Sequence, residues 1–297
     1  MTAPSLSWPH ALLAIAVTAV WGTNFVVIRL GLDDLPPLLF ATLRFIFALL
    51  PAAFFLPRPD VPWRRLAAYG LLIGAGQFGL LFIAMERHIS PGLASLVVQA
   101  QVFFTIALSM YATGERVKPV QWFAVALAAS GVALIAARAD ADATPVGLAL
   151  VLLAALAWAG GNTVARANPK ANMLAYVVWS SLFAVPPLLA LSLLLEGPTA
   201  IAAGIADADA ATWAAVLWQT VGNSLFGYAA WGWLLARYPA ATIAPLSLLV
   251  PVFGMAASAW WLGESLPLWK LTAAGLILAG LAINIVWTRV SARRLTL

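Results

Sequence analysis

The 297-residue chain contains no cysteine and only two histidines, His10 and His88. The first absence excludes disulfides, thiolate chemistry and Cys-ligated metal sites, and two imidazoles are too few for a histidine metal cluster. Charge is scarce as well. Asp, Glu, Lys and Arg make up 9% of the residues, against about 25% in soluble domains. Its 16 basic and 11 acidic residues cannot cover the surface of a water-soluble protein of this length. No P-loop is present, so ATP does not drive the protein directly. What the chain has instead is apolar residues, 63% of the total, where soluble domains hold about 45–50%. It reads as a membrane protein. The net charge of +5 does not point to nucleic acid, because the basic residues are scattered singly between apolar runs, with no patch or tail.

About 20 apolar residues cross a bilayer as a helix. Ten such windows lie near 8–30, 38–56, 66–85, 91–112, 119–137, 145–165, 172–195, 212–235, 240–262 and 267–288. The links are short and hold helix breakers: Pro36 and Pro37, PRPDVP at 57–62, Pro91, Pro119, NPK at 168–170, Pro239 and Pro267. The opening MTAPSLSWPHALL has no basic n-region or clear cleavage site, so it is expected to start an uncleaved first span.

With the N-terminus placed in the cytoplasm, eleven basic residues fall in inner loops and the tail: Arg58, Arg64, Arg65, Arg116, Lys118, Arg166, Lys170, Arg237, Arg289, Arg293 and Arg294. Four fall outside, Arg29, Arg87, Arg138 and Lys270. This positive-inside bias holds through every loop and predicts ten helices with both termini cytoplasmic. Nine of the acids fall outside and two inside, a weaker sign of the same orientation. Trp8, Trp63, Trp122, Trp269 and Trp287 stand at window ends, as interfacial aromatics do.

The halves echo each other. TGER at 113–116 answers LGES at 262–265, and SGVAL at 130–134 answers AGLAI at 279–283, both displaced by 149 residues. SPGLAS at 90–95 answers YPAATI at 238–243, displaced by 148, and WGTN at 21–24 is loosely matched by WAGGN at 158–162. A unit of five helices is odd, so its second copy enters the membrane from the opposite side. The expected fold is an all-α polytopic membrane protein. Ten transmembrane helices form two inverted five-helix repeats, 1–140 and 141–297, which make one transmembrane domain with an N-in/C-in topology.

WGTNFVVIRLG in helix 1, PPLLFATLRFIFA in helix 2, SPGLASLV opening helix 4 and the paired GE signatures resemble the drug/metabolite transporter superfamily. Within it the chain is similar to the ten-helix EamA-type exporters, and most of all to the YddG aromatic amino acid exporters. The resemblance spans the whole chain. It implies a central cavity lined mainly by helices 1, 3, 4, 6, 8 and 9, and export of amino acids or related metabolites across the cell inner membrane.

GAGQFG at 74–79 matches the dinucleotide fingerprint letter for letter, but lies inside an apolar helix with no strand before it. Small residues that let helices pack closely explain it better, as they do GLLIG at 70–74. More informative are the uncharged polar residues at membrane depth. Trp21 and Asn24, three apart in helix 1, and Trp158 and Asn162, four apart in helix 6, each share a helix face at related points of the two halves. Gln219 and Asn223 share a face of helix 8, and Ser95 and Gln99 a face of helix 4; Gln77, Gln101 and Tyr228 add two amides and a hydroxyl. An amide in hydrocarbon costs free energy unless it finds a partner, so these side chains should face the bundle interior. Interhelical hydrogen bonding is one use for them. A polar-lined substrate cavity is the other, and it suits the set as a whole.

Aromatic rings with amides and no deep acid suit a substrate whose charges cancel, such as an amino acid with an apolar side chain. The expected activity is alternating-access export of such substrates, facilitated or ion-coupled, by a monomer or homodimer. A nucleotide sugar or a drug is the alternative substrate class. An enzyme would need deep nucleophiles, paired carboxylates or metal ligands, and a channel a ring of like charge or a repeated filter. The sequence displays none of these, and no catalytic residue, cofactor or metal site is assigned. Glu86 and His88, at the outer end of helix 3, read as solvated loop charges; Glu115 and Glu264, at corresponding helix ends, read as structural.

Arg44 stands alone. It lies in LLFATLRFIFALL (38–50), close to the middle of helix 2. A central Arg costs about 3 kcal/mol on insertion scales, so it should point inward. It is either a clasp between helices or an anchor for a substrate carboxylate. The LRF pattern is shared by family members with varied substrates, which favours the clasp.

Overall fold

The computed structural model describes residues 6–113, 119–138, 142–168, 171–238 and 240–294. Glu115, Arg116, Lys118, Asp140, Lys170 and Pro239 lie outside the described residues. The rest of the chain is helical for the reason hydrocarbon imposes. Each backbone N–H and C=O must be satisfied within its own segment, and only a helix does that without partners. Among the described residues there is no strand, only one isolated bridge between Ile89 and Ala143.

Among the described residues eight helices are long and apolar enough to cross a membrane. They are α1 (Trp8–Gly31), α2 (Pro37–Phe55), α3 (Trp63–Arg87), α4 (Pro91–Leu108), α5 (Pro119–Ala137), α6 (Pro145–Arg166), α7 (Met173–Asp207) and α10 (Leu268–Trp287). Between the last two come α8, a helical run over 210–237, and α9, the shorter apolar helix Leu246–Leu262. Gln219, Thr220, Asn223 and Ser224 interrupt the hydrophobicity of α8 and keep it out of the first group. Eight, plus α8 and α9, gives the ten expected.

Proline starts these helices more often than it breaks them. Pro9, Pro37, Pro91 and Pro145 all sit in a first turn, where the missing N–H has no intrahelical acceptor to lose. Thr144 and Asn172 cap α6 and α7 by accepting from the N–H of Gly147 and Ala175.

Two windows depart from the sequence reading. The window at 172–195 continues past Gly197, whose positive φ of 83° redirects the chain, into a further helix Gly197–Asp207 where an outer loop was expected. The window at 240–262 is broken, with a short helix at Ala240–Ile243 and a tight turn at Ala244–Leu248 before the main helix resumes.

The helices pair in a pattern with two-fold character. α5 lies along α10, α2 along α7 and α4 along α9; α1 packs on α8 and α9 as α6 packs on α3 and α4. Exchanging each helix with the one five places on returns the same pairs. Small residues bring the backbones close. A Cβ on Gly22 of α1 would stand 2.5 Å from the Val250 carbonyl of α9. Gly74 and Gly76, from the GAGQFG stretch, abut Ala184 of α7 and Ala157 of α6, which is the packing role expected of that motif.

Candidate substrate path

Among the described residues three helices carry stretches of wide, π-type turns, Leu71–Gly79 in α3, Ser192–Glu196 in α7 and Trp218–Phe226 in α8. Such turns displace side chains from α-helical register and recur at functional sites. Here they hold Gln77 in α3 and Gln219, Asn223 and Ser224 in α8, all buried.

Trp21 of α1 packs onto α8. Its indole N–H donates to the Asn223 carbonyl at 3.2 Å, and its ring centroid lies 5.8 Å from that of Tyr228 and 5.2 Å from that of Trp231. Gly227 leaves room for this ring; a Cβ there would strike the indole nitrogen. The structure therefore brings Trp21, Asn223 and Tyr228 together. Asn24, one turn further along α1, is buried, and its Oδ1 has no hydrogen-bond partner among the described residues.

A second group joins α4 to α6. Asn162 Nδ2 donates to Gln101 Oε1 at 3.1 Å, and the Thr105 hydroxyl reaches the same oxygen at 3.4 Å. Trp158 is half-buried against the main core. Gln77 Oε1 is buried without a partner among the described residues, and Gln99 is buried in α4. Ser95 donates to the Gly92 carbonyl of its own helix at 2.7 Å and fills the space beside Gly254 of α9, so its surroundings are those of a packing residue.

Arg44 is 1% exposed and faces α8 and α3. Its Nε and Nη2 donate to the Ser224 hydroxyl at 3.2 and 3.0 Å, and Nη1 donates to Gln219 Oε1 at 3.2 Å. The guanidinium carbon stands 3.5 Å from the centroid of the Phe78 ring, a cation–π contact. The Ser224 hydroxyl donates to the backbone carbonyl of Gln219 at 2.9 Å. The helix-joining geometry of a clasp is present. Beside it lies a cavity of about 10 Å³, lined among others by Tyr69, Ser180, Ser181, Ser224 and Tyr228, about the room of one water. Ser180, Ser181, Ser224 and Tyr69 were not singled out from the sequence.

At the opposite ends of the helices from the termini, a polar hub ties three links together. Glu264 accepts from Ser90 at 2.6 Å, from the Gly92 N–H at 3.1 Å, from Lys270 at 3.0 Å and from Ser258. Lys270 also meets Asp142 at 2.8 Å. The Gly92 amide belongs to the first turn of α4, where a carboxylate answers both a free N–H and the helix dipole. Burial opposes ionisation of Glu264, but the hydrogen bonds from Ser258, Ser90 and Lys270 outweigh it and hold the carboxyl below its ordinary value. Glu196 acts likewise at α2, accepting from the N–H groups of Leu38 and Leu39 at 2.5 and 3.1 Å. Glu86 pairs with Arg87 at 3.3 Å on an exposed edge, and the His88 carbonyl accepts from Thr144.

The sequence profile of the EamA-like transporter family matches residues 8–137 and again 145–286. The chain is 44% identical over 292 residues to a probable amino-acid metabolite efflux pump of Salmonella typhimurium, covering 96% of this chain and 97% of that protein. It is 39% identical over 290 residues to the protein of the same description in Escherichia coli, covering 96% and 97%. A crystal structure at 20% identity superposes with a TM-score of 0.64 over 96% of this chain and 98% of the other, a likeness of fold.

Proposed function

The chain belongs to the EamA-like transporter family, and from that premise we propose that it exports amino acids and related small metabolites across the inner membrane by alternating access. The observation that carries this reading is the packing of Trp21 of α1 on Tyr228 and the Asn223 backbone carbonyl of α8, the Asn162–Gln101 hydrogen bond between α6 and α4, and the buried Oδ1 of Asn24 that has no partner among the described residues. Rings beside neutral amides offer an apolar side chain a surface and a zwitterion hydrogen bonds. The two relatives, each a probable amino-acid metabolite efflux pump, support the same substrate class.

Division near residue 140 into two inverted repeats is supported by the twin profile matches, and cytoplasmic termini by the eleven-to-four distribution of basic residues. Transport, with no chemical step, is the activity proposed. Purified protein in liposomes loaded with labelled phenylalanine should release it faster than empty liposomes do. Comparing release with and without a pH gradient separates facilitated from proton-coupled export. Release no faster than from protein-free vesicles, across a panel of apolar amino acids, would sink the proposal.

A further inference from the structure

Arg44 is a cation without an anion. Among the described residues every ion pair belongs to another side chain, Arg29 with Asp33, Arg87 with Glu86, and Lys270 with Asp142 and Glu264. The three bonds Arg44 makes go to a hydroxyl and an amide, both neutral. A guanidinium has five N–H donors, so two remain for another acceptor. Gln219, which holds Arg44 through Oε1, is itself 0% exposed, and its Nε2 has no partner among the described residues. A charge removed from water is stable only when an opposite charge or a full set of acceptors replaces its hydration. The face of Phe78 supplies part of that compensation. It does not neutralise the charge.

We infer that Arg44 and Gln219 receive the carboxylate of the exported amino acid, the counter-charge that this site lacks. The inference rests on the proposed amino-acid export and assigns to named atoms the reading of one end of that substrate. The cavity beside Arg44 admits one water-sized group, and a carboxylate oxygen is of that size. Its lining offers an oxyanion the guanidinium and the phenol hydroxyls of Tyr69 and Tyr228, and Phe45 and Phe78 complete the wall. Trp21 of α1 packs on Tyr228 of α8, which also lines the cavity, so an aromatic pair adjoins it for the substrate's side chain. The clasp and the anchor are then two states of one residue. Unloaded, Arg44 leans on Ser224 and Gln219; loaded, it shares its free N–H groups with the carboxylate, and Gln219 adds Nε2.

The test compares L-phenylalanine with L-phenylalaninamide and phenethylamine, which keep the ring and the amine and lose the carboxylate. In liposomes, the wild type should export phenylalanine at least tenfold faster than either analogue. Arg44→Lys should keep part of that preference, Arg44→Gln should lose it, and Gln219→Leu should weaken it with Arg44 intact. Equal export of all three compounds by the wild type overturns the inference and leaves the exporter standing. Export of none of them, nor of any other amino acid, brings down the exporter reading instead. If both Arg44 variants fail to fold, the wild-type comparison and Gln219→Leu still decide. Replacing chloride by gluconate supplies the last arm: thermal stabilisation by chloride alone, with the three compounds exported equally, would make this a halide site and overturn the carboxylate.

Discussion

Lys270 Nζ lies 3.0 Å from Oε1 of Glu264, with 0% of the lysine side chain and 7% of the glutamate side chain exposed. The pair is bound on all sides: Asp142 completes the ammonium, while Ser90, Ser258 and the Gly92 N–H complete the carboxylate. Removing one member of such a pair leaves the other buried and under-compensated. Lys270→Met and Glu264→Gln should each lower the melting temperature in detergent. The double variant should lose less than the sum of the two, by a coupling of about 0.5–3 kcal/mol. Strict additivity would mean that the two charges do not depend on each other.

Acid should undo the same hub. The folded-state pKa of Glu264 is lowered from its ordinary 4.5, so its contribution to stability is complete above that value and is lost as pH falls through the lowered one. Glu264→Gln cannot titrate. The difference in melting temperature between wild type and this variant should hold steady from neutral pH to about pH 5 and shrink in stronger acid. A difference that stays constant down to pH 3 would separate the carboxylate charge from the stability of the hub.

A chain with no cysteine needs no background removed for thiol labelling. Asp207→Cys, at the end of the helix Gly197–Asp207, should react with a membrane-impermeant maleimide added outside intact cells. Leu297→Cys should react only after the membrane is opened. Labelling of both from one side would remove the N-in/C-in arrangement and the inverted repeat with it.

The spans were legible because hydrocarbon leaves the backbone no alternative to helix and because the breakers are the residues that begin the next helix, as at Pro37, Pro91 and Pro145. What could not be read depends on geometry that periodicity does not encode. Ser224 meets Gln219 across five residues, a spacing that an α-helix puts on different faces and a π-type turn brings together. The spacing of Asn162 gave its face of α6 but not its partner, Gln101 of α4. Lys270 counted in the sequence as one outer charge among four, and nothing in its neighbours announced that it would be buried. The helix over 197–207 follows from the positive φ of Gly197, a backbone choice that glycine permits but does not dictate.

Asn24 of α1 and Asn162 of α6 differ in what holds them, and that difference supplies a test of the substrate path. Asn162 gives a hydrogen bond to Gln101 at 3.1 Å, so Asn162→Ala should cost both stability and transport. Asn24 keeps a buried Oδ1 with no partner among the described residues. Leaving such an atom unsatisfied costs about 1–3 kcal/mol, so Asn24→Ala relieves one penalty while it opens a small void, and the melting temperature should stay close to wild type. Transport is the discriminating readout. If Oδ1 waits for a donor on the passing substrate, its removal should cut export per folded molecule by about tenfold, equivalent to about 1.4 kcal/mol. Measuring export against the amount of folded protein, for Asn24→Ala beside Asn162→Ala, separates the two roles. Undiminished transport by Asn24→Ala would make Asn24 a packing residue and move the path away from α1.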